Sequence, residues 1–519
     1  MFTALTSLAR LFHIARTLAE YDALFPLERL GVAPGLLVAA RILARTLPRT
    51  AAKGDAEGRP GQRLAKAFET LGPSFIKLGQ ALSVRSDLVG EDIADDLSTL
   101  QDNLPPFPGE QARQTIEVEL GGPVSDHFAH FEDKPVAAAS IAQVHFAVTT
   151  NGDPVAVKVL RPGIEARFLR DIDLALWLAR LVARTRPALR RLRPVEVVRT
   201  FEESVRTEMD LRLEASAAAE LAENFEGDPN FKVPRIDWIR TAQRVLTLER
   251  IDGVRIDDVD ALKVSGDDTG FEPQDILRHA TEAFFNQVFR DGFFHADMHP
   301  GNMFVTHEGI LRPVDFGIMG RLDRRTRYYL ADMLTGFLNR DYRRVAEVHF
   351  EADYVPRHKS VDGFTQALRA IGEPILGRPL HEISLARLLA HLFQVTETFE
   401  METQPQLLLL QKTMLVAEGI GRKVDPSVNM WLLAQPMIET WMRENRGPEA
   451  RLRDAVDDTI LRLENLPRLI TRAETVVDAL SSNISRNDGV GSPHSRHSSL
   501  RWVVPCLILV ALIVILYSM

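Results

Sequence analysis

The chain of 519 residues carries 62 Lys and Arg against 71 Asp and Glu, a formal charge of −9, with 45% hydrophobic and 26% charged residues. That composition supplies about three domains' worth of globular material and excludes a chain disordered throughout. The acidic balance excludes a general nucleic-acid binder, whose basic face would dominate the count, and a single cysteine, Cys506, excludes any intramolecular disulfide or cysteine-built metal cluster.

Residues 1–53 hold seven Lys or Arg and three Asp or Glu, interleaved with Leu5, Leu8, Leu11, Phe12 and Ile14. They lack the basic start, apolar run and small-residue cleavage site of a signal peptide. A helix lying on an anionic membrane and a helix packed on the protein's own surface fit this pattern equally. Residues 62–104 read as helical and end at Pro105-Pro106. The period then changes. Gln143–Thr150 is β-branched and aromatic, Asn151-Gly152-Asp153 intervenes, and Pro154–Leu160 follows, which predicts a hairpin. From Arg161 to about Asn224 the pattern is helical again, with ten arginines between 161 and 199 that read as a solvated face, docking to anionic lipid being the lesser reading.

Val245–Ile251 predicts another strand and 273–292 a helix, after which a short loop leads into helix to about residue 480. Leu407–Leu410 runs on into Gln411 and Lys412 and so predicts a buried helix, not a membrane span. Residues 481–501, with seven serines and two glycines, read as a tether. Trp502–Met519 contains no charge over 18 residues, enough to cross a bilayer as a helix. Arg486, Arg496 and Arg501 precede it and no charge follows, which predicts a tail anchor with the body in the cytoplasm. The predicted order is a helical extension (1–125), a small α+β unit (126–252), a helical unit (253–480), a tether and an anchor.

The residues that could do chemistry fall in Phe294-His-Ala-Asp-Met-His-Pro-Gly-Asn302 and Pro313-Val-Asp-Phe-Gly317. Phosphoryl transfer needs a carboxylate to orient or deprotonate the nucleophile, and oxygen ligands for Mg²⁺. Asp297 is the candidate for the first role, and Asn302 and Asp315 for the second. The five-residue step from Asp297 to Asn302 equals that of the protein-kinase catalytic loop, and Asp315 follows 13 residues later. Lys158 lies among apolar neighbours in the second hairpin strand, where an ammonium needs a phosphate or carboxylate. Its carboxylate partner is sought on the following helix, at Glu208 by preference, with Glu202 and Glu203 as alternatives. Where a kinase has G-x-G-x-x-G, this chain has Val136-Ala137-Ala138-Ala139-Ser140-Ile141-Ala142-Gln143-Val144. Methyl groups in place of hydrogens still admit a nucleotide but narrow its pose. Ordinary protein phosphorylation is the weaker expectation.

These segments, with Lys77-Leu-Gly-Gln80 (K-x-G-Q) and Glu208-Met-Asp210 (E-x-D), resemble the UbiB family of atypical kinase-like proteins over roughly residues 60–425. The resemblance implies an α+β, protein-kinase-like two-lobed fold with an N-terminal helical extension and a C-terminal transmembrane helix. It implies that the K-x-G-Q helices cover the place of a peptide substrate and that Lys77 reaches toward Asp297 or the E-x-D pair. It further implies ATP and Mg²⁺ as cofactors, and a role in ubiquinone biosynthesis at the inner membrane with lipid-stimulated ATP hydrolysis. Membrane lipid, polyprenyl quinone precursors and ubiquinone-biosynthesis enzymes are the implied partners. One departure is a single evident span where some bacterial relatives have two. Three readings result: an ATPase or small-molecule kinase handling a polyprenyl precursor, a protein kinase acting in trans, and a non-catalytic nucleotide-dependent scaffold.

Overall fold

Five strands make the sheet on which the site is built: β1 (Phe128–Phe131), β2 (Ala137–Ala138), β3 (Ala142–Thr149), β4 (Pro154–Leu160) and β5 (Val245–Glu249). All pair antiparallel, in the order β1-β3-β4-β5 with β2 added to β3. The β3–β4 hairpin turns at Gly152, whose φ of +92° is a conformation glycine adopts without steric cost. The computed structural model describes residues 2–25, 58–83, 89–100, 105–185, 194–269, 271–374, 395–396, 398–401, 404–425 and 430–446. The predicted tether and the span at 502–519 lie outside the described residues.

Strand β4 is buried on both faces, and its period of two sorts its side chains between two cores. Val155, Val157 and Val159 join Ala112 and Ile116 of the helix Gly109–Leu120 in one cluster, while Ala156 and Leu160 join a second. Lys158 falls on the second face, in register with Val144 and Leu246. A shift of one residue would send it into the valine core.

Helices α1 (Phe2–Glu20), α2 (Pro60–Leu71), α3 (Pro73–Ser83), α4 (Glu91–Ser98) and α5 (Gly109–Leu120) precede the sheet. Between β4 and β5 come α6 (Ile164–Thr185), α7 (Pro194–Glu208) and α8 (Leu211–Asn224). Leu18, Leu24, Leu64, Phe68, Leu71 and Leu97 close a small core of their own in the extension. Arg10 fastens α1 to α6 through Asp171, at 2.8 and 2.9 Å, so the described part of the basic N-terminus is packed on the protein itself. Gly79 lets α3 sit close to its neighbours, since a Cβ there would lie 2.2 Å from Leu100 Cδ1.

The remainder is helical around short strands. Strand β6 (Val254–Arg255) pairs with β8 (Met303–Val305), β8 with β9 (Leu311–Pro313), and β7 (Phe293–His295) with β10 (Met319–Arg321). Helices α9 (Val259–Thr269) and α10 (Pro273–Phe285) precede β7; α11 (Arg324–Leu338), α12 (Tyr342–Glu351), α13 (Val361–Gly372), α14 (Pro405–Val424) and α15 (Met430–Arg446) follow β10. The helix predicted over 273–292 divides. Its α-helical part stops at Phe285, a π-turn covers Asn286–Asp291, and Gly292 ends it with φ +67°. Phe284, Phe289, Phe294, Phe316 and Leu410 share the core beneath the site. Among the described residues no helix is long and apolar enough to cross a membrane. Leu410 of α14 is a buried core residue, in keeping with the reading of that run. Residues 1–442 form one compact unit and 443–519 another, and the site lies in the first.

Candidate active site

Lys158 Nζ donates to both oxygens of Glu214, at 2.8 and 2.9 Å, and to Asp315 Oδ1 at 3.1 Å. Burial alone would lower its pKa, but the two carboxylates outweigh burial and hold the ammonium above its ordinary value. Asp315 is the converse case: its side chain is 46% exposed, the surrounding protein would raise its carboxyl by desolvation, and Lys158, with Lys77 adding to the field, holds it well below the usual carboxylate range. Glu214, the deepest of the three, is raised by burial despite Lys158, and it also accepts the N–H of Phe316.

This corrects the expected pairing. Glu208, not Lys158's partner, meets Lys77 Nζ at 3.0 Å. The physical reason is a helix break: α7 ends at Glu208, and Asp210 caps the start of α8 by accepting the Arg212 N–H. Glu208 and Glu214 therefore stand on different helices, and only α8 presents a carboxylate to β4. The expectation that Lys77 reaches the E-x-D pair matches its contact with Glu208. Glu202 is engaged by Arg206 on its own helix at 2.8 Å, and Glu203 is exposed.

The Ala-rich segment is a tight hairpin. Ala137 and Ala138 pair with Val144 and Gln143, and the Ala139 N–H donates to Ala142 O at 2.7 Å. Arg161 pins the tip, its Nε and Nη2 donating to Ala139 O at 3.1 and 2.9 Å. Val136 and Ala137 are exposed and Ala138, Ala139 and Val144 half-buried, whereas Ser140, Ile141, Ala142 and Gln143 are interior. The nine-residue binding segment thus narrows. Gln143 in particular is spent on structure: its Oε1 accepts the Phe107 N–H at 3.0 Å, and its Nε2 donates to Phe107 O at 3.2 Å.

On the other side, the backbone of Asp297 is fixed from three directions. Its N–H donates to His295 Nδ1 at 3.2 Å, and its carbonyl accepts from Asn302 Nδ2 at 3.1 Å and the His299 N–H at 2.8 Å. His295 Nε2 contacts Val314 O at 3.2 Å, so burial, which lowers its pKa, keeps it a neutral ring bridging the two motifs. Its own N–H donates to Gln287 Oε1 of the π-turn at 2.9 Å. The Val314 N–H donates to Asn302 O at 2.8 Å, which sets Asn302 and Asp315 side by side across β8 and β9. Asp315 itself has φ +60°, an uncommon conformation for a residue with a side chain, and its Oδ1 accepts the Gly317 N–H at 3.3 Å. Finally, Lys412 Nζ of α14 meets Asp297 Oδ1 at 3.2 Å.

Three residues here were not singled out in the sequence: Glu214, Arg161 and Lys412. For Glu214 a signal existed. It interrupts the buried stripe Leu211, Ala215, Ala218, Leu221 of an amphipathic helix, where a carboxylate needs a partner. Arg161 and Lys412 act across distances in sequence that no local pattern marks.

Two oxygen ligands, the Asn302 amide and the Asp315 carboxylate, suit Mg²⁺, which keeps waters and phosphate oxygens for its other positions. Among the described residues no group of three or more His, Cys, Asp or Glu could hold a metal alone. An amide and a carboxylate fit a cation that brings further oxygen ligands with it.

Residues 99–349 match the model of the ABC1 atypical kinase-like domain and residues 368–429 that of the UbiB helical domain. The chain is 43% identical over 490 residues to a Marinobacter nauticus protein named "Probable protein kinase UbiB", covering 92% of this chain and 86% of the relative. It is 41% identical over 512 residues to the protein of that name from Pseudomonas aeruginosa, covering 98% and 94%. A solved structure of Rv3197 with erythromycin, from Mycobacterium tuberculosis, aligns at TM-score 0.50 with 25% identity, over 69% of this chain and 90% of that one.

Proposed function

The chain belongs to the UbiB family of atypical kinase-like proteins, and on that premise we propose that it is a membrane-anchored ATPase or small-molecule kinase supporting ubiquinone biosynthesis. The observation that carries the reading is the convergence of Lys158, Glu214, Asp315, Asn302 and Asp297 from one sheet, one helix and two loops. Lys158, released in part from Asp315, would meet the α- and β-phosphates, with Glu214 holding its ammonium in place. Asn302 and Asp315 would hold Mg²⁺, which would supply neutralisation of the charge on the transferring phosphoryl group. Asp297 would orient the acceptor hydroxyl or water and take its proton as the bond from Pγ to the bridging oxygen breaks.

Lys77 and its helix stand on the same site, paired to Glu208 and within the field of Asp315. A helix standing there leaves room for a small acceptor more readily than for a peptide. The uncharged run 502–519 and the tether before it support a tail anchor, which would bring the site to polyprenylphenol precursors in the membrane. The test is phosphate release from ATP by the full-length protein with and without anionic liposomes. Release that rises with lipid and disappears in Asp315→Asn is expected. Lipid-indifferent protein with efficient transfer to a second protein would favour a kinase acting in trans. Normal quinone levels in Asp315→Asn cells would favour a scaffold.

A further inference from the structure

Asp297 is the candidate base, yet among the described residues the ammonium paired with it comes from neither the sheet nor its own loop. Lys158 is committed to Glu214 and Asp315, and Lys77 to Glu208. The partner of Asp297 Oδ1 is Lys412, 115 residues downstream, while His299 Nε2 stands 3.8 Å from the other carboxylate oxygen. We propose that Lys412 is a positioning residue for Asp297, and that holding it in place is what helix α14 contributes to the reaction. The inference rests on the phosphoryl-transfer reading above and deepens it.

The helix is built to hold that lysine still. Leu410 and Thr413 flank it in the interior, Thr413 Oγ1 donating to Leu409 O at 2.9 Å. Leu407, Leu409, Met414 and Val416 pack on the core that also contains Ala296 and Met298, the neighbours of Asp297. Core packing thus fixes the bases of both side chains. An aspartate that must accept a proton at one oxygen gains from having the other oriented. The ammonium at Oδ1 does this, leaving Oδ2 toward the open side with His299. The lysine lies in 368–429, the segment matching the helical-domain model, outside the kinase-like match of 99–349. A kinase-like domain alone would lack it.

The experiment uses the full-length chain with ATP and Mg²⁺. Lys412→Met keeps the stem and removes the charge, and Lys412→Arg keeps the charge. Lys412→Met is expected to lower kcat for phosphate release by about tenfold or more, a part of the roughly 10²–10⁴-fold that a positioned general base contributes, with KM for ATP changed less than about threefold. Lys412→Arg should recover most of the loss. Unchanged turnover in Lys412→Met, or an arginine variant as slow as the methionine one, overturns the inference. A second measurement does not need turnover: denaturant midpoints for wild type, Lys412→Met, Asp297→Asn and the double variant should be non-additive, because paired residues couple. Additive midpoints overturn it as well. A wild type without turnover removable by Asp315→Asn sinks the proposed activity instead. The midpoints then decide alone whether Lys412 holds Asp297.

Discussion

Two lysine–carboxylate contacts face each other across the site, and water reaches them unequally. Lys158 and Glu214 are 12% and 7% exposed, Lys412 and Asp297 39% and 26%. In the first pair each charge has lost its hydration and depends on the other; in the second each keeps part of it. Removing one partner of a buried pair strands the other charge, whereas removing one partner of a half-exposed pair costs only up to about 1 kcal/mol, small but measurable. On the sheet side, then, folding and the proposed chemistry share the same atoms. On the helical side they separate, so the two sides will answer mutation differently.

The largest effect should come from Lys158→Met, which leaves Glu214 buried without a counter-charge. A loss of about 3–5 kcal/mol in unfolding free energy is expected, measured by denaturant titration, together with loss of ATP turnover. A stable, inactive Lys158→Met protein would show that the sheet side behaves like the helical side and would break the comparison. The pair Glu214→Gln and Glu208→Gln sharpens it. Glu214→Gln should weaken nucleotide binding by calorimetry, because Lys158 loses its fixed anchor. Glu208→Gln should leave binding closer to wild type and loosen α3 instead. The reverse ranking would restore Glu208 as Lys158's functional partner.

Gly79→Ala probes the extension without touching a charge. The new Cβ would lie 2.2 Å from Leu100 Cδ1 and 2.8 Å from Phe68 Cδ2, both side chains buried. Overpacking of this kind costs about 1–3 kcal/mol. A thermal melt at the wild-type midpoint would mean that Leu100 and Phe68 yield freely, and that α3 is not held by close contact.

How much of this was legible in the sequence follows from the range of each interaction. Asp297, Asn302 and Asp315 stand within one short span, and their spacing announces them. The β3–β4 hairpin was readable from Asn151-Gly152 and placed Lys158 on its strand. The partner of Lys158 was misplaced because the break at Met209-Asp210 is a capping event: Asp210 stops one helix and starts the next, moving the relevant carboxylate six residues on. The motif alone points Gln143 at the nucleotide, though its amide serves Phe107. Arg161 and Lys412 depend on tertiary packing, for which the sequence carries no local pattern.

Acid should act on the histidine bridge between the two sides and leave the charge of the lysines unchanged. His295 is buried and its pKa lies below the ordinary 6.5, chiefly through burial. A group with a depressed folded pKa contributes stability that is present above its unfolded pKa and lost as pH falls. Stability should therefore decline from about pH 6.5 downward, with His145 and His349, also lowered by burial, acting in the same direction. Lys158, raised in the fold, contributes stability that is retained below its ordinary value and lost only in strong base. Melting curves from pH 8 to 5 check this: the slope should flatten in His295→Asn and persist in Lys412→Met. An unchanged slope in His295→Asn would assign the acid limb to other groups.

The smallest effect should be at Glu202, which the sequence offered as a partner for Lys158. It is bound by Arg206 one turn along α7, at 2.8 Å, with the arginine side chain 52% exposed. Such a pair on a helix surface contributes about 0.3–0.5 kcal/mol, because water screens the attraction and both side chains lose freedom to make it. Glu202→Gln should accordingly shift the denaturant midpoint hardly at all and leave ATP turnover at the wild-type rate. A loss approaching that of Glu214→Gln would mean that α7 exchanges places with α8 at the lysine during turnover. The division between a buried, fold-bound side and an open, chemical side would then hold only for the state described here.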